Sequence, residues 1–217
     1  MDCEAIIFDL DGTLVDTLED IADSANQALQ GLGVPTHSVQ AYRLLVGGGI
    51  RRLMERALPE ERRGQADIEE GVARMRAVYS QRWAQVSRPY PGIPELLDAL
   101  TARGMPMGVL SNKPHDFTVE MVRTLLGRWT FAAVQGATAD VPLKPNPAGA
   151  LALAGALRVP AARCALLGDS DVDIQTARRA KMLALGAAWG FRGAAELRAA
   201  GADHVLDAPG ALLTLFP

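Results

Sequence analysis

The feature that most constrains this fold is a short apolar run ending in two acidic residues. Residues 5–8 (Ala-Ile-Ile-Phe) form strands readily and are bounded by polar residues, which predicts a buried parallel strand. Asp9 and Asp11 follow at its carboxyl end, where open α/β sheets bind their ligands, and Gly12 lets the backbone turn. Two carboxylates this close repel each other in a dry pocket unless a cation compensates. The stretch predicts a metal site, although Asp-Gly is also a common turn dipeptide.

Three further groups of polar residues follow predicted strands. The strand over residues 105–110 ends at Ser111 and Asn112, and a strand over residues 131–135 precedes Lys144. The strand over residues 165–167 leads into Asp169, with Asp173 four residues later. The last pair resembles the start of a calcium-binding EF-hand loop. The twelfth position of such a loop is Ala180 instead of the bidentate Glu, so we exclude calcium.

The order of predicted elements divides the chain into two parts. From residue 91 onward strands and helices alternate, which predicts an α/β fold with a doubly wound parallel sheet of five or six strands. Residues 16–87 contain only helical patterns. We expect a core domain over residues 1–15 and 88–217 and an all-helical domain over residues 16–87. The alternative is that these helices simply pack on the sheet, although a crossover connection normally uses one helix.

Composition narrows the range of functions. The 217 residues are 49% apolar and carry a formal net charge of −3, without the basic tract typical of nucleic-acid binding. The acidic start and the lack of an apolar run near ~18 residues indicate a cytoplasmic protein that does not bind a membrane. Cys3 and Cys164 are expected to be buried apolar residues and not a disulfide or a zinc site.

Residues 9–15 (Asp-Leu-Asp-Gly-Thr-Leu-Val) resemble the first signature of the haloacid dehalogenase superfamily, in its phosphatase form. Ser111, Lys144 and Asp169 with Asp173 match the remaining three signatures in order and at predicted strand ends. The resemblance therefore covers nearly the whole chain. It implies a Rossmann-type core of the haloacid dehalogenase type and identifies the helical block as its inserted cap domain.

The resemblance also implies a role for each matched residue. Asp9 is the nucleophile that forms an aspartyl-phosphate, Asp11 is the general acid and base, and Lys144 neutralises charge. Ser111, Asn112 and Gly12 bind the phosphoryl group, although a lone Ser at this position is more often a helix N-cap. Asp9, Asp169 and the main-chain carbonyl of Asp11 hold Mg²⁺. Asp173 orients a water or pairs with Lys144, while Asp171 is an exposed residue of the helix's first turn.

The helical block contains one further candidate site. Three glycines at residues 47–49 precede a helix, and the exposed N–H groups at such a helix start suit a small anion. The segment resembles the cap of phosphoglycolate phosphatases, which implies that Gly48 and Arg51 contact substrate. The glycines also fit a flexible loop without a ligand.

The resemblance implies a Mg²⁺-dependent phosphatase of a small phosphorylated metabolite, best matched by 2-phosphoglycolate, in a monomer or a homodimer. Four alternatives remain at this stage. They are a β-phosphoglucomutase-like mutase, a sugar-phosphate or pyrophosphate phosphatase, a haloacid dehalogenase, and a binding protein that kept the fold without catalysis. A dehalogenase needs neither Mg²⁺ nor the second carboxylate at Asp11, and the complete acidic set argues against loss of catalysis.

Overall fold

A computed structural model describes residues 3–216, which form two compact units. The larger unit contains the residues up to Asp16 and those from Pro89 onward, and the smaller unit is Thr17–Arg88. Each division differs by one residue from the predicted domain boundary. That the smaller unit serves as a cap domain stays a prediction.

A six-stranded parallel sheet forms the centre of the larger unit. In spatial order its strands are β5 (Ala133–Ala137), β4 (Met107–Pro114), β1 (Ala5–Phe8), β6 (Cys164–Gly168), β7 (Leu183–Ala187) and β8 (His204–Leu206), so the chain winds outward from β1 in both directions. This order confirms the predicted doubly wound α/β fold. Two short strands, β2 (Val15–Asp16) and β3 (Arg88–Pro89), lie outside this sheet.

Ten helices accompany these strands within residues 3–216, the first four of them in the smaller unit. The helices are α1 (Leu18–Gly31), α2 (Val39–Leu45), α3 (Ile50–Ala57), α4 (Gln65–Arg82), α5 (Ile93–Ala102), α6 (His115–Leu125), α7 (Ala148–Leu157), α8 (Asp171–Arg179), α9 (Ala194–Ala199) and α10 (Leu212–Leu215). Short 3₁₀ turns occur at Glu60–Arg62, Ala161–Arg163 and Pro209–Ala211.

The core of the larger unit lies between its central strands and the helices that pack on them. Helix α7 contacts β1, β4 and β5, whereas α8 contacts β6 and β7. Ile7, Leu153, Leu166 and Ile174 belong to one buried cluster that joins these elements. Burial of such side chains stabilises the fold by roughly 1.5–3 kcal/mol each. This packed core holds the ends of the strands in position.

In the smaller unit, α1 packs against α4, α4 packs against α3, and α2 packs against both α1 and α3. Residues 17–87 contain no strand, whereas Asp16, the first residue of the predicted helical block, belongs to β2. The Tyr42 hydroxyl donates to Asn26 Oδ1 at 2.7 Å and ties α2 to α1. Asp20 in the first turn of α1 accepts from the N–H of Val86 at 3.1 Å and of Ser87 at 2.8 Å, which ties the two ends of the unit together.

Several predicted boundaries differ from the structure for identifiable reasons. Strand β4 continues through Ser111, Asn112 and Lys113 to Pro114, although polarity predicted its end at residue 110. These polar side chains are buried at the carboxyl edge of the sheet, where other polar groups contact them. Helix α2, which has only seven residues, was not predicted. Among the described residues, no helix combines the length and the apolar character needed to cross a membrane.

Candidate active site

The central strand β1 has β4 on one side and β6 on the other, which brings three polar segments to one edge of the sheet. Phe8 is in register with Val109 of β4 and with Leu167 of β6. Because the strands are parallel, the residues after them emerge at the same edge. Asp9 follows β1 and its N–H donates to the Leu167 carbonyl at 2.9 Å, while Asp169 follows β6.

Three buried carboxylates meet at this edge. Asp9, Asp169 and Asp173 each offer an oxygen atom, and these atoms lie within 4.8 Å of one another. Lys144 is buried among them, with Nζ 2.8 Å from Asp9 Oδ1 and 2.6 Å from Asp173 Oδ1. Three ionised carboxylates and one ammonium leave a formal excess of two negative charges in a buried space. Such an excess is costly without a further cation.

This charge imbalance is reflected in the proton affinities of the groups. Burial raises the pKa of Asp9 from 3.8 to about 7; the Lys144 ammonium opposes this shift and the Asp173 carboxylate adds to it. Burial likewise raises the pKa of Asp169 well above its ordinary value, and Asp173 and Asp9 reinforce the shift. Burial acts to lower the pKa of Lys144, but Asp173 and Asp9 outweigh it and raise the pKa. Lys144 therefore remains charged, and the acids compete for protons or for a metal.

The donor set fits a hard divalent cation. Carboxylate and carbonyl oxygens are the ligands that Mg²⁺ prefers, and two positive charges would balance the excess described above. Asp173 is already engaged: Oδ1 contacts Lys144, and Oδ2 accepts from the Ser170 N–H at 3.1 Å and the Ser170 hydroxyl at 2.6 Å. Asp9 and Asp169 are therefore the side chains best placed to bind the ion. Asp173 fixes Lys144 and the start of α8.

Asn112 holds the segment that carries Lys144. Its side-chain nitrogen donates to the Lys144 carbonyl at 3.0 Å, and its side-chain oxygen accepts from the Lys144 N–H at 2.8 Å. The neighbouring Ser111 hydroxyl accepts from the Lys113 N–H at 3.2 Å. Both residues are buried. The observed contacts of Asn112 position Lys144, and its predicted contact with substrate stays a prediction.

Gly12 provides space for Asp169. It has φ +83°, and a Cβ there would overlap the Asp169 carboxylate. Its N–H is already engaged, because it donates to the Val15 carbonyl at 2.9 Å. Any larger residue at position 12 would displace Asp169, so the contribution of Gly12 in this structure is steric. Its predicted binding of the phosphoryl group is not tested by these contacts.

Two further segments contact these residues, although the sequence assigned no function to either. Lys113 places Nζ 2.9 Å and 3.0 Å from the two carboxylate oxygens of Asp11. In the loop after β7, the Phe191 N–H donates to Asp169 Oδ2 at 2.7 Å, and Trp189 Nε1 donates to the Thr13 carbonyl at 3.0 Å. Most lysines are solvated, so Lys113 alone predicts no function. The one sequence signal for it is its position directly after Ser111 and Asn112 at a strand end.

The two remaining predicted residues, Gly48 and Arg51, lie in the smaller unit. Gly48 precedes α3 and packs under the side chain of Arg52. Arg51 lies in the first turn of α3, 3.9 Å from Glu69, and both of these side chains are more than half exposed. An exposed pair of this kind contributes little to stability, so Arg51 is available to another anion. Substrate binding by these residues stays a prediction.

Comparison with known proteins identifies the family. The profile of the haloacid dehalogenase-like hydrolases matches residues 3–181. The phosphoglycolate phosphatase of Vibrio parahaemolyticus is 34% identical, over 98% of this chain and 95% of the relative. That of Aquifex aeolicus is 31% identical, over 97% and 95%.

Solved structures agree with this assignment. A crystal structure from Lactobacillus delbrueckii subsp. bulgaricus matches with a TM-score of 0.92 and 27% identity, over 98% of this chain and 97% of the other. A predicted phosphoglycolate phosphatase from Haemophilus somnus matches with a TM-score of 0.89 and 26% identity, over 100% and 99%. The family expected from the four signatures is confirmed. The chain belongs to the haloacid dehalogenase-like hydrolase family, and it is a hydrolase of phosphoric monoesters.

Proposed function

We propose that this protein is a Mg²⁺-dependent phosphatase that hydrolyses a small phosphate monoester through an aspartyl-phosphate at Asp9. The observation that carries the proposal is the buried contact of Asp9 with Lys144 at 2.8 Å, beside Asp169 at the same edge of the sheet. A carboxylate in this position has an amine that favours its ionised, nucleophilic form.

In the first step, a carboxylate oxygen of Asp9 attacks phosphorus, and the bond from phosphorus to the ester oxygen breaks. Asp11 donates a proton to the departing alkoxide. In this proposal Lys144 and the Ser111 hydroxyl offset negative charge on the phosphoryl oxygens. Mg²⁺ held by Asp9, Asp169 and the Asp11 carbonyl would supply further charge neutralisation and orient the phosphoryl group.

In the second step, water attacks the phosphorus of the aspartyl-phosphate. Asp11, now ionised, accepts a proton from this water, and the bond between phosphorus and the Asp9 oxygen breaks. Inorganic phosphate leaves and both carboxyl groups return to their starting states. Asp11 thus serves as an acid and then as a base, which requires its carboxylate to be held in one place through both steps.

The substrate we propose is 2-phosphoglycolate. Support comes from the relatives in Vibrio parahaemolyticus and Aquifex aeolicus, whose names specify this substrate and which align over nearly their whole length. Because 2-phosphoglycolate carries a carboxylate beside its phosphate, a cationic contact outside the acidic cluster would aid selection. Arg51 is our candidate for that contact, and the Gly48 main chain is our candidate for a hydrogen bond to the substrate.

A substrate panel with two variants tests the proposal. We expect kcat/KM for 2-phosphoglycolate to exceed that for sugar phosphates and pyrophosphate, with phosphate released and no isomerised sugar phosphate formed. Asp9→Asn should abolish turnover while leaving the melting temperature within a few degrees. Asp171→Asn is the matched control. Asp171 lies in the first turn of α8 as predicted, but it is partly buried instead of exposed, and its Oδ2 accepts a hydrogen bond from Gln175 Nε2 at 3.0 Å. Asp171→Asn should retain activity within about twofold of wild type. If Asp9→Asn retains a tenth of wild-type activity, Asp9 is excluded as the nucleophile.

A further inference from the structure

A second buried lysine faces the other acid of the first signature. Lys113 Nζ lies 2.9 Å from Asp11 Oδ1 and 3.0 Å from Asp11 Oδ2, so it contacts both oxygens of one carboxylate. The Lys113 side chain is 5% exposed and the Asp11 side chain 12%. The reaction proposed above uses Asp11 twice and leaves Lys113 without a role.

The main chain of Lys113 is anchored on both sides. Its N–H donates to the Ser111 hydroxyl at 3.2 Å, and its carbonyl accepts from the Thr118 hydroxyl at 3.1 Å. Ser111 and Thr118 are both buried. The main chain of Lys113 is therefore fixed, and the burial of its side chain limits the positions that the ammonium can take.

The main chain around Asp11 is equally constrained. The N–H groups of Leu14 and Val15 both donate to the Leu10 carbonyl at 3.0 Å, and the Gly12 N–H donates to Val15. Because these hydrogen bonds fix the main chain, the side-chain torsions of Asp11 are what can still vary. A contact to both carboxylate oxygens fixes the position of that group and the direction in which it faces.

The two lysines divide the acids between them. Lys144 contacts Asp9 and Asp173, and Lys113 contacts Asp11. Asp9 and Asp11 are only two residues apart, yet each has an amine of its own from a different segment of the chain. Burying an ammonium costs several kcal/mol unless a partner compensates, and the Asp11 carboxylate is the partner that Lys113 contacts.

We propose that Lys113 is a positioning residue that holds the Asp11 carboxylate where it can exchange protons with the leaving group and with water. This inference rests on the proposed function, because it assumes that Asp11 is the acid and base. Replacing Lys113 should therefore slow the steps that use Asp11 and not the attack by Asp9.

Pre-steady-state kinetics with p-nitrophenyl phosphate separates these steps. p-Nitrophenolate leaves without needing a proton, so its first turnover reports attack by Asp9, whereas the following steady state reports hydrolysis of the aspartyl-phosphate, which needs Asp11. In Lys113→Met we expect a burst of about one p-nitrophenol per active site at a rate within about threefold of wild type. The steady state should then be slower by about 10- to 100-fold, the loss typical of a misplaced catalytic group.

Two further variants keep the test decisive. Lys113→Arg retains a donor that can contact both oxygens and should recover at least half of the loss on a logarithmic scale. If Lys113→Met fails to fold, the burst and steady-state rates of Lys113→Arg are compared with those of wild type instead. In an Asp11→Ala background, Lys113→Met should cause no additional loss, because the group that it positions is absent.

The outcomes distinguish the two proposals. If Lys113→Met slows the burst and the steady state equally, or leaves hydrolysis unchanged or faster, the positioning role is wrong while the phosphatase proposal stands. If Asp9→Asn retains a tenth or more of the activity, or the wild type does not hydrolyse phosphate monoesters, the proposed function itself fails.

Discussion

Asn112 holds the main chain of Lys144 from both sides. The side-chain amide donates to the Lys144 carbonyl at 3.0 Å and accepts from the Lys144 N–H at 2.8 Å, although the two residues are 32 positions apart. The Lys144 ammonium, at the other end of the side chain, contacts Asp9 and Asp173. The two hydrogen bonds from Asn112 therefore fix the main chain from which this ammonium extends.

Asn112→Ala should therefore reduce both stability and activity. Two buried main-chain groups lose their partners, which costs about 2–4 kcal/mol in total, and misplacement of Lys144 should lower kcat by about 10- to 100-fold. Denaturant unfolding and steady-state kinetics measure the two effects. Asn146→Ala is the matched control, since Asn146 is exposed and makes one local bond to the Ala148 N–H. An Asn112→Ala protein with wild-type kcat would show that this contact does not position Lys144.

The raised pKa values predict how stability depends on pH. In the absence of metal, the pKa of Asp9 is about 7 in the folded protein, above its ordinary value of 3.8, because burial outweighs the contact with Lys144. Between about pH 4 and pH 7 the folded state therefore binds more protons than the unfolded state, and the free energy of unfolding falls as pH rises. Below about pH 4 this contribution is fully present, and above pH 7 it is lost.

The corresponding measurement is the melting temperature with and without Mg²⁺ at several pH values. Because Mg²⁺ competes with protons for the same carboxylates, the rise in melting temperature on adding Mg²⁺ should be larger at pH 7.5 than at pH 5. Asp9→Asn should reduce the pH dependence of the metal-free protein. Equal Mg²⁺ shifts at both pH values would contradict this assignment of the metal ligands.

Lys181, two residues after the end of α8, has a backbone conformation that favours glycine. Its φ is +58°, and the Met182 N–H donates back to the Ala177 carbonyl at 2.9 Å, a pattern in which Gly is common. Lys181→Gly should raise the free energy of unfolding by about 0.5–1 kcal/mol, since Gly adopts this conformation without a steric cost. Lys181→Ala is the control, because it removes the side chain but keeps the strain. Equal stability of the Gly and Ala variants would refute the explanation.

Asp20 ties together the two ends of the smaller unit. Its Oδ2 accepts from the Val86 N–H, the Ser87 N–H and the Ser87 hydroxyl at 2.6–3.1 Å, and the residue is 4% exposed. Asp20→Ala leaves these donors without their acceptor and should cost about 3 kcal/mol or more of unfolding free energy. Asp23→Ala is the control: it breaks a contact to Arg82 in which both side chains are nearly half exposed, and should cost less than about 1 kcal/mol. Similar losses in the two variants would contradict the assigned role of Asp20.

The sequence predicted the sheet and its acidic edge because both depend on local pattern. Apolar runs before Asp9 and Asp169 identified two adjacent strands, and the parallel arrangement then brought their ends together. The family resemblance added Lys144, whose place in the chain carries no local signal. Its contact with Asp9 depends on the path of the whole segment between β5 and α7.

The unpredicted features depend on contacts between distant parts of the chain. Lys113 has the appearance of a surface residue in sequence, and only the neighbouring position of β1 reveals its partner Asp11. Strand β4 extends beyond its predicted end because its polar residues find partners at the sheet edge. Helix α2 was missed because seven residues carry too little periodicity, and it is held by Tyr42 packing and bonding to Asn26.

Covalent trapping of the intermediate tests the central chemistry most directly. Asp11→Asn protein is mixed with Mg²⁺ and p-nitrophenyl phosphate, quenched in acid within the first turnover, digested and analysed by mass spectrometry. Loss of the base at position 11 should leave one phosphoryl group on Asp9, and Asp9→Asn in the same background should carry none. A phosphoryl group on any other residue, or steady hydrolysis in both variants without a phosphorylated Asp9, would contradict the role assigned to Asp9.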